Sequence, residues 1–324
     1  MSLLISLYRH GCHQNDTKRD RKLRFPRNVH ILKGLNYFED KKRDHEMDLY
    51  TPNDRPEGYL PVIVIIHGGG YVYGNKEVYQ YYAAYLASQG FAVLCPNYTL
   101  APKAKFPTQL KEINQLFTWI STHNERYYLR LSDLFAVGDS TGAQLLSQYT
   151  AILTNPNYQK LFDFEVPASI HLQAIGLNCG IYDAKSFLTE EANNNPLSKA
   201  LNDAYFGKNR FSDPEFLAQI NVLENITTAY PPVSMISGSN DFLKSQSDFF
   251  ADFLRQKKLE HEYHCYGQEN EKQYIHVFHV NMGLEEAKKV DDQQLDFFRQ
   301  HFSESAKRLN VEVDALLASK AKQS

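Results

Sequence analysis

Residues Val62-Ile63-Val64-Ile65-Ile66, entered through Pro61, form an unbroken β-branched run with no polar position. A strand with one face in water alternates apolar with polar residues, so this run predicts a strand buried on both faces. Burial on both faces needs a layer of helices on each side, the setting of a mostly parallel sheet. The flanking sequence supplies the other parts. Val29 to Phe38 and Glu46 to Tyr50 read as two opening strands separated by a charged turn. Further strands are expected at Phe91 to Cys95, Leu134 to Val137, Ser169 to Leu177, Pro232 to Ser237 and Glu260 to Tyr266. Helical patterns fall between them. Val78 to Ser88 is stopped by Gly90, and Pro107 opens a helix with Leu110, Ile113, Leu116, Phe117 and Ile120 at helical spacing. Others begin near Thr141 and run from Ser245 to Arg255 and from Glu285 to Phe302. Between Asp183 and Ala229 the pattern is irregular, with an Asn193-Asn194-Asn195 piece, and reads as a lid inserted between core elements.

A chain of 324 residues can bury roughly 75% of its unfolded surface, enough for one large core. The expected organisation is a single domain over residues 1–302 with an eight-stranded sheet, a lid over 183–229 and a polar tail over 303–324. Whether residues 1–28 join the cap is left open. With 35 basic and 38 acidic residues there is no global field to attract nucleic acid or an anionic membrane. The stretch Lys18 to Arg24 is read as a solvated segment. Cys12, Cys95, Cys179 and Cys265 are scattered, without CxxC or zinc spacing, as expected of reduced thiols rather than of disulfides or a metal site. Leu3 to Leu7 is too short for a signal-peptide core and lacks a preceding basic residue. No window approaches the ~18 apolar residues of a membrane span. A cytoplasmic protein without stable membrane association is expected.

Two glycine motifs carry the chemistry. Gly138-Asp139-Ser140-Thr141-Gly142 is a G-x-S-x-G sequence between a predicted strand and a predicted helix. A sharp turn there lifts a serine oxygen above the sheet, and the glycines prevent clashes with the helix and the neighbouring strand. Taken alone, it could be a turn whose serine caps a helix. His67-Gly68-Gly69-Gly70-Tyr71 directly follows the buried strand. Consecutive glycines are conformationally expensive unless the backbone must approach something closely, as in an oxyanion hole built from main-chain N–H groups. A phosphate loop is the other use of such glycines, but neither G-x-G-x-x-G nor a Walker sequence is present. The two motifs, each following a strand, are far stronger together than apart.

A serine nucleophile needs a base, and the base an orienting carboxylate. In the order Ser, acid, His, the acid follows a late strand and the histidine the last one. Pro232 to Ser237 ends in Gly238-Ser239-Asn240-Asp241, which makes Asp241 the preferred acid and Asp183 its competitor. Among Ile275-His276-Val277-Phe278-His279, His276 comes first after the polar loop and is preferred as base. His279 would lie one turn further, on a helix beginning there. His261 and His264 fall within the last strand and read as structural.

With these blocks in place, the sequence resembles the hormone-sensitive-lipase-like family of α/β-hydrolases, which includes many bacterial carboxylesterases. The resemblance spans residues 45 to 302. It rests on His67 to Tyr71 and Gly138 to Gly142, supported by Tyr98-Thr99-Leu100-Ala101-Pro102 with Phe106-Pro107, by Asp241-Phe242-Leu243 and by His276-Val277-Phe278. It implies an α/β-hydrolase fold with Ser140 as nucleophile, His276 as base and acid, and Asp241 as the orienting carboxylate. The N–H groups of Gly69, Gly70 and Thr141 would form the oxyanion hole, and His67 would hold the glycine loop in shape. Thr99 and Lys103 stand where the family usually has arginine and glutamate, so the ion pair of those residues is missing. Thr141 replaces a common alanine and adds a hydroxyl beside the oxyanion hole. The implied reaction is hydrolysis of a small, short-acyl-chain ester through an acyl-enzyme, with no metal or cofactor. Since neutral imidazole is required, activity is expected to fall below about pH 6.5. Amidase, peptidase and acyl-transferase chemistry use the same triad, and a non-catalytic ligand-binding relative is the reading from another class. A homo-oligomer is left open. The tyrosines Tyr71, Tyr73, Tyr79, Tyr81, Tyr82 and Tyr85 suggest either core filling or a pocket for aromatic esters.

Overall fold

The computed structural model describes residues 2–53, 58–186, 195–304 and 306. Among them, eight strands form one sheet: β1 Val29–Asn36, β2 Glu46–Pro52, β3 Leu60–Ile66, β4 Ala92–Pro96, β5 Leu129–Asp139, β6 Leu172–Asn178, β7 Val233–Gly238 and β8 His261–Tyr266. Their spatial order is β1-β2-β4-β3-β5-β6-β7-β8. β1 with β2 and β2 with β4 pair antiparallel, and every later pairing is parallel.

Every residue of β3 is buried. The two-residue period of the strand sends Val62, Val64 and Ile66 into one apolar layer and Ile63 and Ile65 into the other. The helices Thr108–Tyr127 and Thr141–Thr154 close the first layer, and Gln80–Ser88 and Glu285–Gln300 close the second. Full burial of each such aliphatic side chain contributes about 1.5–3 kcal/mol, so both layers hold β3 in place. β5 starts at Leu129 instead of Leu134. Its polar opening hides it in the sequence, where Asp133 is fully buried but ion-paired with Arg130 at 2.5 Å and accepts from Ser303 Oγ at 3.0 Å.

The N-terminus departs from expectation. Leu3–Asp20 is one helix, and the solvated segment expected from Lys18 begins inside it. Ile5 is its buried apolar anchor; polar contacts hold the rest. Arg9 donates to the carbonyls of Val72 (2.6 Å) and Ala101 (2.9 Å), Arg19 donates to the Val78 carbonyl (2.7 Å), and Tyr73 donates to Asp16 (2.7 Å). All but the Ala101 bond reach the segment that follows His67 to Tyr71. The helix also touches the lid helix Pro196–Tyr205.

In the lid, Asn195 and Asp213 cap Pro196–Tyr205 and Pro214–Ile220, each with a proline in the first helical turn. Residues 187–194, including Asn193 and Asn194, lie outside the described residues, as does most of the tail. Tyr205 stacks on Tyr71 with ring centroids 3.8 Å apart, seating the lid against the glycine loop. The ion pair missing at Thr99 and Lys103 has a substitute. Glu112 accepts from the Thr99 N–H (2.7 Å) and faces His45 Nε2 (3.2 Å), whose Nδ1 lies 2.7 Å from Asp40, while Lys103 pairs with Asp44. No helix of the described residues is long and apolar enough to cross a membrane.

Asp291, on Glu285–Gln300, is 1% exposed, and neither carboxylate oxygen has a hydrogen-bond partner among the described residues. Burial, reinforced by Asp292, pushes its carboxyl well above the usual range. From the unfolded value of about 3.9 upward to that raised value, the folded chain keeps a proton the unfolded chain has lost, so stability falls as pH rises. Asp291→Asn is expected to flatten that fall and raise Tm at neutral pH by about 2–4 °C. Thermal unfolding across the acid-to-neutral range checks it; parallel curves for the two proteins would contradict it.

Candidate active site

β3 and β5 are adjacent and parallel, with Ile66 opposite Gly138. The loop beginning at His67 and the turn at Ser140 therefore leave the same edge of the sheet side by side. Ser140 sits at φ 53°, ψ −123°, a strained conformation for a residue with a Cβ. Its N–H donates to the Asn178 carbonyl at 2.9 Å. Gly142 permits the turn to pack, since a Cβ there would lie 2.1 Å from the Ile66 carbonyl oxygen. Gly69 adopts φ +119°, open only to glycine, and a Cβ on it would lie 2.2 Å from the Tyr73 carbonyl oxygen.

The structure brings Ser140, His276 and Asp241 together. His276 Nε2 lies 3.0 Å from Ser140 Oγ, and His276 Nδ1 lies 2.8 Å from Asp241 Oδ1. A carboxylate accepts only, so Nδ1 carries the proton and Nε2 is left to accept from the serine hydroxyl. Asp241 follows β7, and its Oδ1 also accepts from the Leu243 N–H at 2.8 Å. Burial alone would raise its carboxyl, but His276, the Cys179 thiol and the Leu243 N–H outweigh it and hold the carboxyl below its ordinary value. The acid and histidine loops are tied directly: Asn240 N–H donates to the Tyr274 carbonyl at 2.9 Å, and its Nδ2 to the Glu271 carbonyl at 3.1 Å. Phe242 covers the His276 ring, with centroids 4.3 Å apart.

The competitors lie elsewhere. Asp183 N–H donates to Gln246 Oε1 at 3.0 Å, and the carboxylate on His276 Nδ1 is that of Asp241. His279 is buried edge-on to Tyr82, in a 3₁₀ turn, Phe278–Val280, instead of a helix. Burial depresses its imidazole to about 3. His67 is buried too, which lowers its imidazole to about 4; Nδ1 donates to the Gly68 carbonyl at 2.8 Å and the ring stacks on Tyr98.

Among the described residues, the N–H groups of Gly69, Gly70 and Thr141 donate to no protein acceptor. The Thr141 hydroxyl accepts from the Tyr71 N–H at 3.4 Å, joining the turn to the loop. The tyrosines bind the protein itself: Tyr71 donates to Gln144, Tyr73 to Asp16, Tyr79 to Asp139 and Tyr85 to Asp292, while Tyr81 stacks on Phe25. Among the described residues, Cys179, Asp241 and His276 offer three donor atoms within 4.8 Å of one another. Two of those groups are already joined by the Nδ1–Oδ1 hydrogen bond, so the cluster reads as the acid–histidine pair facing Ser140 with a thiol behind it. The sequence shows Cys179 only as one of four scattered thiols; the signal for its place here is its position just past β6, between the strands that carry Ser140 and Asp241.

The BD-FAE family model matches residues 47–254. A protein of Acanthamoeba polyphaga mimivirus described as an α/β-hydrolase is 27% identical over 216 residues, covering 62% of this chain and 58% of that protein. Esterase LipC of Mycobacterium tuberculosis is 24% identical over 238 residues, covering 72% of this chain and 57% of LipC. The chain thus spans less than two thirds of the length of these relatives. Esterase B of Lactobacillus rhamnosis superposes with a TM-score of 0.82 at 22% identity, over 95% of this chain and 98% of esterase B. A bacterial heroin esterase superposes with a TM-score of 0.70 at 20% identity, over 91% of each chain. The chain belongs to the BD-FAE family and carries the α/β-hydrolase fold of the hormone-sensitive-lipase-like carboxylesterases.

Proposed function

We propose that this chain is a serine carboxylesterase acting on small, short-acyl-chain esters through an acyl-enzyme. The observation that carries the reading is the unbroken hydrogen-bonded line from Asp241 through His276 to Ser140, beside N–H groups without acceptors among the described residues. Ser140 Oγ attacks the ester carbonyl while His276 Nε2 takes its proton; the N–H groups of Gly69, Gly70 and Thr141 hold the oxyanion. His276 returns the proton to the departing alcohol. Water then repeats the sequence on the acyl-enzyme and releases the acid. Removing one oxyanion donor is expected to cost about 100- to 1000-fold in rate.

Two observations support a short acyl chain. The space over Gly70 is narrow: a Cβ there would meet Leu201 Cδ1 of the lid helix at 3.1 Å and Tyr8 Oη of the N-terminal helix at 3.3 Å. Esterase B, the structural relative, was crystallised with a tributyrin phosphonate inhibitor. The test is hydrolysis of p-nitrophenyl esters from acetate to laurate. Turnover is expected to be highest for the short acyl groups and to collapse toward laurate. A folded protein that turns over none of them would overturn the reading, and a maximum at laurate would overturn the short-chain part.

A further inference from the structure

Tyr79 stands immediately before the helix Gln80–Ser88 and is 6% exposed. Its hydroxyl accepts from the Gly68 N–H at 3.0 Å and donates to Asp139 Oδ2 at 2.8 Å. The residues it joins are the chain neighbours of Gly69 on one side and of Ser140 on the other. They are also in direct contact. A Cβ on Gly68 would lie 2.6 Å from Asp139 Oδ2, 2.8 Å from the Asp139 carbonyl oxygen and 3.0 Å from Ser140 Cβ. The glycine loop therefore lies against the nucleophile turn, and Gly68 leaves no room for a side chain of its own to set the spacing.

The other anchors of this loop reach glycine carbonyls, as His67 Nδ1 does at Gly68 and the Tyr73 N–H at Gly69, or act outside the glycines. Tyr98 donates to the His67 carbonyl at 2.8 Å, and Tyr71 is held by Gln144 and by the Thr141 hydroxyl. Among the described residues, the Tyr79 hydroxyl is the side-chain group that binds a glycine N–H of the block. Asp139 is 3% exposed, with no cation within ion-pair distance among the described residues. Burial pushes its carboxyl up to about 6, against the opposing pull of Tyr79, His276 and the Gly68 N–H. A buried carboxylate with so few donors is costly to leave unpaired, so the Tyr79 bond is held firmly at both ends.

We propose that Tyr79 is a positioning residue for the oxyanion hole: its hydroxyl bolts Gly68 to Asp139 and so sets where the Gly69 and Gly70 N–H groups sit over Ser140 Oγ. The inference rests on the esterase reading above. An oxyanion hole works when its donors lie about 2.7–3.1 Å from the developing charge, and a displacement of about 1 Å can cost on the order of 100-fold. Tyr79→Phe keeps the ring and deletes the bolt. It is expected to lower kcat by about 10- to 100-fold with KM within about threefold. Affinity for a phosphonate or trifluoromethyl ketone analogue of the tetrahedral state should fall in parallel with kcat. Asp139→Asn retains an acceptor for the tyrosine and should be milder than Asp139→Ala. Tyr79→Phe combined with Asp139→Ala should be no worse than the worse single variant, because both cut the same connection.

A Tyr79→Phe enzyme with wild-type kcat, or one whose loss lies wholly in KM, would overturn the proposal. So would fully additive losses in the double variant. If the wild-type protein hydrolyses no ester, the esterase reading fails first. Amide hydrogen exchange at Gly68 then still decides: faster exchange in Tyr79→Phe supports the bolt, and unchanged exchange removes it.

Discussion

The Ser140→Ala variant is expected to lose kcat on a short-chain p-nitrophenyl ester by about a million-fold, with little change in Tm. No neighbouring hydroxyl can take over. The Thr141 hydroxyl is turned to the Tyr71 N–H, and a methyl group leaves His276 with no proton to accept. What remains is the oxyanion hole and substrate positioning, worth about 10³–10⁴ over water on their own. The measurement is a steady-state rate beside wild type, with active-site labelling by a fluorophosphonate to show that the label also disappears. A variant retaining even about one per cent of wild-type kcat would mean that another group is the nucleophile.

The second large effect is expected from Asp241→Asn, a loss of about 10⁴ in kcat near neutral pH. The substitution preserves shape but reverses the hydrogen-bond logic. The carboxylate accepts from His276 Nδ1 at 2.8 Å and thereby leaves Nε2 free of a proton toward Ser140. An amide can present its NH₂ to Nδ1 instead, which places the proton on Nε2 and blocks the transfer from serine. Since the Asp241 carboxyl is held below its ordinary value, it stays ionised through the acid range in which histidine titrates. Its contribution to stability is present above the unfolded carboxylate value and is lost as pH falls through the folded one. The wild-type rate profile should therefore show no carboxylate-like step above about pH 4. A loss below about tenfold in Asp241→Asn would return Asp183 to consideration.

The parts of this protein legible in the sequence are those where a local pattern and a global need coincide. Val62–Ile66 reads as a doubly buried strand by its β-branched composition and short length, and the two glycine blocks, each following a strand, fit a crowded backbone. Asp241 and His276 could be placed because each follows a readable strand. The N-terminal helix escaped because its only fully buried residue is Ile5, too sparse for a helical stripe. Its docking is written instead in Arg9, Asp16 and Arg19, whose partners lie far along the chain. The role of His45 was hidden for the same reason: Glu112 comes near it only through the fold. Tyr79 looked like one aromatic among many, since a hydroxyl that joins two backbone segments leaves no periodic trace.

The wide sequence span of the triad bears on how the protein is made. Ser140 and His276 are 136 residues apart, and the strands β6, β7 and β8 are all synthesised between them. At about 5–20 residues per second on a ribosome, the proposed nucleophile waits roughly 7–27 s for its proposed base to be translated. During that interval the chain can form the turn at Ser140 and the glycine loop beside it, yet it has no group to accept the serine proton. Under the proposed mechanism, the nascent protein is thus chemically silent until its final strand and the loop after it have emerged.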